Sequence, residues 1–287
     1  MPFSRLASPS ATIAALKRHG LYTKKSLGQH FLVDDNIIGR IIDLAQLEGD
    51  ETVIEVGPGI GTLTVALCEV AGAIVAVERD KALEPAIAEA TADCDRFALV
   101  YEDAVAITPE QLARAFGEPV ALVANLPYQV AATVVLRFFE ELPSLRQATV
   151  MVQTEVADRM SAVPGTKDYG AYTVKLQLRA RPAGRFQVAR GCFLPPPRVE
   201  STVIRLERIA ESIAPQLLAD ASRVADAAFA QRRKTIRNSL RATLGVEASA
   251  LDEVLAEAGV DGGLRAEVLE PATFVTLASL FRTKSLL

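Results

Sequence analysis

From Thr52 to about Glu155 short apolar runs alternate with helical stretches, and few architectures accept that rhythm. The runs are TVIEV, AIVAVE, FALVYED, VALVANLP and QATVMVQ, separated by segments such as TLTVALCEVAG and ALEPAIAEATA. Short β-branched runs without polar alternation read as strands buried on both faces, and helical crossovers between them make such strands parallel. The expectation is a doubly wound α/β domain. After Tyr169 the pattern changes. AYTVKLQLRA, RFQVAR and VESTVIRLER read as strands, with RPAG as a turn after the first, so the sheet should finish antiparallel. From about Ile209 helical periodicity takes over in APQLLADASRVADAAFAQRRKTIRNSL and ALDEVLAEAGV. These shifts divide the chain into an N-terminal extension with a helix over 1–23, an α/β domain over 24–208 and a small all-helical domain over 209–287.

Composition narrows the class. At 287 residues, half of them hydrophobic, the chain can bury one large core and one small one. No apolar run reaches the roughly 18 residues of a membrane span. Cys68, Cys94 and Cys192 lie far apart and form no Cys-x-x-Cys pair, so neither a zinc site nor a disulfide framework is expected, and a reducing cytosol fits. The acid-free start could belong to a transit peptide, but SATIAALKRHGLY reads more readily as a short capped helix.

The net charge of −4 hides segregation. Three windows contain no acid: 1–33 with Arg5, Lys17, Arg18, Lys24 and Lys25; 169–199 with Lys175, Arg179, Arg181, Arg185, Arg190 and Arg198; and 227–246 with Arg232, Arg233, Lys234, Arg237 and Arg241. Gathered on one side, these bases would suit a polyanion. Dispersed, they would pair with the acidic remainder, and charge alone does not choose between the two.

The first strand runs straight into GPGIGTLT, with Gly57, Gly59 and Gly61 before a helix. Glycine lets the backbone turn and pass close to a ligand, and the helix start behind it presents free N–H groups. A dinucleotide fingerprint would place its third glycine at position 62, which is Thr here, so a pyrophosphate is disfavoured. The second strand ends in Glu78, where a carboxylate can accept both hydroxyls of a ribose. The third ends in EDA, which puts Asp103 where it could accept a hydrogen bond from an adenine amino group. Each acid alone is more readily a solvated strand end. Polar groups on three successive strand ends at one crevice are harder to dismiss.

KKSLGQHFL, EVGPGIGTLT, VERD, EDA, NLPY, VQTEVADRM, PGTKDYGA, FLPPPRVES and FAQRRKTIRNSL follow one another along nearly the whole chain. In this order they resemble the ribosomal RNA small-subunit (16S) adenine N6,N6-dimethyltransferases of the KsgA type. The resemblance implies a Rossmann-like class I methyltransferase fold with a mostly parallel seven-stranded sheet, and S-adenosyl-L-methionine as cofactor. It implies that Gln29, His30 and Leu32 contact the cofactor's methionine part, joined by Gly57, Gly59, Gly61, Glu78, Asp103, Ala104 and Asn125. Family members often carry Asn where this chain has His30, and Arg-Pro where it has Arg265 and Ala266.

NLPY then acquires a chemical reading. The adenine amino nitrogen is a poor nucleophile because its lone pair is delocalised into the ring. The Asn125 side-chain oxygen and the Leu126 carbonyl can accept its hydrogens and hold the lone pair toward a methyl donor. Tyr128 offers a ring for the base to stack upon, and Phe193 is expected on the other face. In the helical domain Arg233, Arg237 and Arg241 should share one helical face, and Arg198, Arg232, Arg233, Lys234 and Arg237 are the RNA-contact candidates. The implied activity is dimethylation of two adjacent adenosines in a small-subunit rRNA hairpin loop, by a cytoplasmic monomer acting on a pre-small-subunit particle without metal or membrane. The rivals are a large-subunit rRNA methyltransferase of the macrolide-resistance type, a non-catalytic assembly or transcription factor on the same fold and, more distantly, an NAD oxidoreductase.

Overall fold

The computed structural model describes residues 2–22, 29–210 and 213–287. Positions 24–28 of the KKSLGQHFL motif, with Lys24 and Lys25, lie outside the described residues. In chain order the elements are α1 (Pro9–Arg18), β1 (Phe31–Leu32), α2 (Asp35–Ala45), β2 (Thr52–Val56), α3 (Thr62–Val70), β3 (Ala73–Glu78), α4 (Glu84–Ala90), β4 (Phe97–Tyr101), α5 (Pro109–Ala113), β5 (Ala121–Asn125) and α6 (Ala131–Glu141). They continue through β6 (Gln147–Gln153), α7 (Thr154–Met160), α8 (Ala171–Gln177), β7 (Ala180–Val188), β8 (Phe193–Leu194), β9 (Ser201–Arg208), α9 (Pro215–Phe229), α10 (Ile236–Leu244), α11 (Ala248–Glu257) and α12 (Pro271–Thr283).

The chain divides into two compact units, one of residues 1–157 and 182–208, the other of 158–181 and 209–287. The first holds the sheet, in the order β4-β3-β2-β5-β6-β9-β7. Strands β2 to β6 are parallel where paired, and β9 runs antiparallel to β6 from Gln147↔Glu207 to Gln153↔Ser201. Every residue of β2 and β3 is buried, as helices on both faces require. The helix α2 starts at Asp34, whose side chain accepts from the N–H groups of Asn36 and Ile37. Its Ile37, Ile38, Ile41 and Ala45 join Val53, Leu63, Leu67 and Ile74 in one apolar cluster. The expected N-terminal helix is α1, capped by Ser8.

Three expectations need correction. AYTVKLQLRA is not a strand: its first seven residues form α8, with Thr173, Val174 and Leu176 buried. Burial on a helix face overrides the alternation that read as a strand, and RPAG lies within β7 rather than in a turn. The boundary at 208–209 is only one of the crossings, because 158–181 also belongs to the helical unit. There Tyr169 packs edge-on against Phe229, its hydroxyl donates to the Leu269 carbonyl at 2.7 Å, and Lys175 pairs with Asp226 at 2.8 Å. Finally, Cys68 and Cys94 form a disulfide with Cα atoms 5.6 Å apart, which leaves Cys192 free. They are 26 residues apart in sequence, and it is the packing of α3 beside α4 that joins them.

Among the described residues no helix is long and apolar enough to cross a membrane, and no group of three or more His, Cys, Asp or Glu could hold a metal ion.

Gly61 shows what the glycine loop is for. Its φ is +87°, and a Cβ there would lie 2.6 Å from the Ala90 Cβ of α4. Gly20 has φ +64° with nothing within 4 Å of the same point. In urea unfolding, Gly61→Ala should therefore cost roughly 3 kcal/mol, backbone strain plus overpacking, and Gly20→Ala about 1 kcal/mol from strain alone. Equal losses would mean that α4 moves aside freely.

Candidate functional site

Strands β2 and β5 are neighbours in the sheet, but the chain leaves them in opposite directions, toward β3 and toward β6. Beyond their carboxyl ends opens a cavity, the place an open α/β sheet offers for a ligand. All of its lining residues lie within the first unit. Of the expected cofactor residues, Gln29, His30, Leu32, Gly57, Gly59, Glu78, Asp103, Ala104 and Asn125 line it, as do Leu126 and Tyr128.

Two expected residues do not. Gly61 faces Ala90, so its work is to let α3 pack against α4. Phe193 is 2% exposed and sits in the apolar cluster with Leu32, Val188 and Val203. The two-residue ladder between β1 and β8 pairs Leu32 with Phe193 and fixes that orientation. The ring that neighbours Tyr128 in the cavity is His30, with centroids 6.1 Å apart and planes at 21°. Both rings are anchored at their far ends. His30 Nδ1 donates to the Pro195 carbonyl at 2.7 Å, and the Tyr128 hydroxyl meets Ser201 Oγ at 2.6 Å.

The NLPY turn holds its polar groups in place. Asn125 Nδ2 donates to the His30 carbonyl at 3.5 Å, which assigns the amide orientation and leaves Oδ1 as an acceptor. The Leu126 N–H donates to the Met151 carbonyl at 3.1 Å, and Pro127, which has no N–H, ends the ladder. Around the opposite wall the side chains are acidic. Glu78 is 8% exposed and accepts from the Arg79 and Asp80 N–H groups through one oxygen, at 2.8 and 2.7 Å. Burial raises its pKa although these bonds oppose the shift. Asp103 accepts from the Val105 N–H at 3.0 Å and lies 3.4 Å from the Arg79 guanidinium. Gln29 Nε2 donates to Asp80 at 3.2 Å.

Glu55, Thr62 and Arg79 also line the cavity, and sequence reasoning assigned none of them a role. Glu55 was detectable as the single charge inside the buried run TVIEV. It is 1% exposed, and the Thr64 hydroxyl donates to it at 2.6 Å. Burial pushes its pKa up to about 8, with the nearby Glu78 adding to the rise. Thr62 is 5% exposed, and its Oγ1 has no hydrogen-bond partner among the described residues.

The comparison with protein families follows the same geometry. The model of the ribosomal RNA adenine dimethylase family matches residues 20–282. The chain belongs to this family. The family's members named ribosomal RNA small subunit methyltransferase A include that of Rhodococcus opacus, 43% identical over 284 residues, which cover 96% of this chain and 94% of the relative. That of Clostridioides difficile is 38% identical, covering 98% of each. Among solved structures, a dimethyladenosine transferase from Plasmodium falciparum matches with a TM-score of 0.76 at 22% identity, covering 89% of this chain and 98% of that one. The 23S rRNA methyltransferase ErmE matches with a TM-score of 0.64 at 26% identity, covering 88% and 99%. The family's chemistry is methyl transfer, in general from S-adenosylmethionine.

For the RNA-contact candidates the structure divides the set. Arg198 is exposed on the loop between β8 and β9, and Arg232, Arg233 and Lys234 are exposed on the turn between α9 and α10. The expected helical row of Arg233, Arg237 and Arg241 does not form, because Arg233 precedes α10. Arg237 is held by Asp252 through two bonds of 2.5 and 2.8 Å. Other bases of the acid-free windows are also paired, Arg18 with Glu89 and Lys175 with Asp226.

Glu55 generates a pH test. Its folded pKa of about 8 lies above the 4.5 of an unperturbed glutamate, so the folded state holds a proton that the unfolded state releases. The associated stability is complete below pH 4.5 and is lost as pH rises through 8. Relative to Glu55→Gln, the wild type should lose on the order of 4 kcal/mol between pH 4.5 and 8.5 in urea unfolding. Parallel pH profiles would mean that Glu55 titrates normally.

Proposed function

We propose that this protein transfers methyl groups from S-adenosylmethionine to the N6 amino groups of two adjacent adenosines in a small-subunit (16S) rRNA hairpin loop. It acts as a cytoplasmic monomer on a small-subunit precursor. The observation that carries the reading is the meeting, in one cavity, of the NLPY turn with Gly57, Gly59, Glu78 and Asp103. Full-length likeness to relatives named for the small subunit, at 38–43% identity, supports that subunit over the large one.

The lining suits this cofactor. Glu78 is a buried acceptor for ribose hydroxyls, and Asp103 is an acceptor for an amino group. Gly57 and Gly59 leave bare backbone beside the ligand, and a Cβ on Gly59 would come within 3.2 Å of the Phe31 ring. When bound, S-adenosylmethionine supplies a sulfonium methyl already activated for transfer. The residues of the chain then have to position the acceptor base. Asn125 Oδ1 and the Leu126 carbonyl accept the amino hydrogens and turn the nitrogen lone pair out of the ring plane, and Tyr128 carries the base on its face. A monomethylated nitrogen has one hydrogen left, so one of the two acceptors is dispensable in the second round. The target base leaves its stack to reach the cavity. Arg198, Arg232, Arg233 and Lys234 are the cations assigned to RNA phosphates. Arg237 is left out because Asp252 holds it.

Asn125→Ala and Tyr128→Ala should lower single-turnover methylation on the order of 100-fold while RNA affinity stays within about twofold, because many distant cations supply the binding energy. Equal losses in both would make NLPY a structural turn. Glu78→Ala should weaken S-adenosylmethionine binding at least about tenfold. Labelled methyl transfer should enter small-subunit particles; transfer into large-subunit RNA instead would favour the macrolide-resistance type.

A further inference from the structure

Two rings of the cavity wall, His30 and Tyr128, stand nearly parallel, and both are held from one stretch of chain. The Pro195 carbonyl accepts from His30 Nδ1 at 2.7 Å, and Ser201 Oγ meets the Tyr128 hydroxyl at 2.6 Å. Neither Pro195 nor Ser201 lines the cavity. Whatever the stretch PPPRVES does there through these two residues, it does by way of the rings.

The stretch is built to stay still. Pro195, Pro196 and Pro197 fix three successive φ angles. Before them Leu194 pairs with Phe31 in the β1–β8 ladder, and after them Ser201 pairs with Gln153 of β6. Around Ser201 the neighbouring strand and helix add further ties. The Glu200 carbonyl accepts from the Thr154 N–H at 3.0 Å, and Thr202 Oγ1 meets Thr154 Oγ1 at 3.0 Å. Ser201 and Thr202 are both 0% exposed. Tyr128 has less to hold it, because it lies beyond the end of β5, where Pro127 has stopped the ladder. A ring attached only through its Cβ can swing about the Cα–Cβ bond. A hydrogen bond from its hydroxyl to a fixed point stops that swing.

We infer that Ser201 is a positioning residue for methyl transfer: it fixes the Tyr128 ring, and with it the stacked adenine, where the amino nitrogen meets the methyl donor. This rests on the stacking role proposed for Tyr128 and deepens it. A ring displaced by about 1 Å carries the base with it, and a misplacement of that size can slow a reaction by about 100-fold without loosening binding. A serine whose only work is to satisfy a buried phenol would affect folding and leave the reaction alone.

The test removes the same bond from either side. Single-turnover methylation of small-subunit particles by the full chain is measured for Ser201→Ala, Tyr128→Phe, the double variant and Tyr128→Ala, beside RNA and S-adenosylmethionine affinities and thermal unfolding. Ser201→Ala and Tyr128→Phe should each slow the chemical step about tenfold, with both affinities within about twofold of the wild type. The double variant should be no slower than either single one, because the bond is already gone. Each single variant leaves one buried hydroxyl unpaired and should melt slightly lower, and the double variant should recover part of that loss. A wild-type rate for Ser201→Ala, whatever its melting temperature, would overturn the inference, and so would losses that multiply in the double variant. If Tyr128→Ala keeps its turnover, the stacking role fails and this inference with it; if Tyr128→Ala is slow while Ser201→Ala is not, the inference alone fails.

Discussion

Parallel strands β2 and β5 lie side by side, and the chain must leave their carboxyl ends in opposite directions to reach their other neighbours. No loop can fill the gap between the diverging segments, so backbone groups at the ends of both strands face a crevice instead of a ladder partner. The cavity residues of the first unit gather around that gap. On the β2 side the chain turns through three glycines with left-handed φ before α3 begins. On the β5 side it ends in Asn125 and a proline, which stops the ladder. One strand end thus leaves bare backbone at the crevice, and the other brings Asn125 and Leu126 to it.

The crevice gathers carboxyl groups, and two of them are deeply buried. Glu55 and Glu78 are both buried, and burial raises both pKa values. A ligand with a net positive charge lowers the cost of such a site, whereas a neutral product does not. Under the cofactor proposed above, charge is therefore a means by which the cavity would hold a sulfonium more firmly than the thioether left after transfer.

Much of this was legible in the sequence for a physical reason. Strands buried on both faces leave long apolar runs, and the polar residues that interrupt or end them (Glu78, Asp103 and Asn125) stand out against that background and do line the cavity. What escaped was set by partners remote in sequence. AYTVKLQLRA has the alternation of a strand, but its buried residues pack as a helix face. Phe193 looks available beside three prolines until the β1–β8 ladder turns it inward. Cys68 and Cys94 are brought together by two helices packing side by side, and Arg237 finds Asp252 from another helix. Gly61 and Thr62 read alike as part of a glycine loop, although one meets Ala90 and the other lines the cavity.

The helical unit is assembled from two separate stretches of chain, 158–181 and 209–287, with most of β7, then β8 and β9, running between them. The polypeptide consequently passes between the units three times. Tyr169 and α8 emerge from the ribosome long before Phe229 and Leu269, the groups they pack against and bond. During synthesis the sheet can close while that early segment still waits for its partners. A fragment beginning at 209 would lack the first part of its own core, and one ending at 208 would expose it. The unit that looks like a C-terminal appendage is therefore inseparable by a single cut, so shuffling it between relatives requires two exchanged segments rather than one.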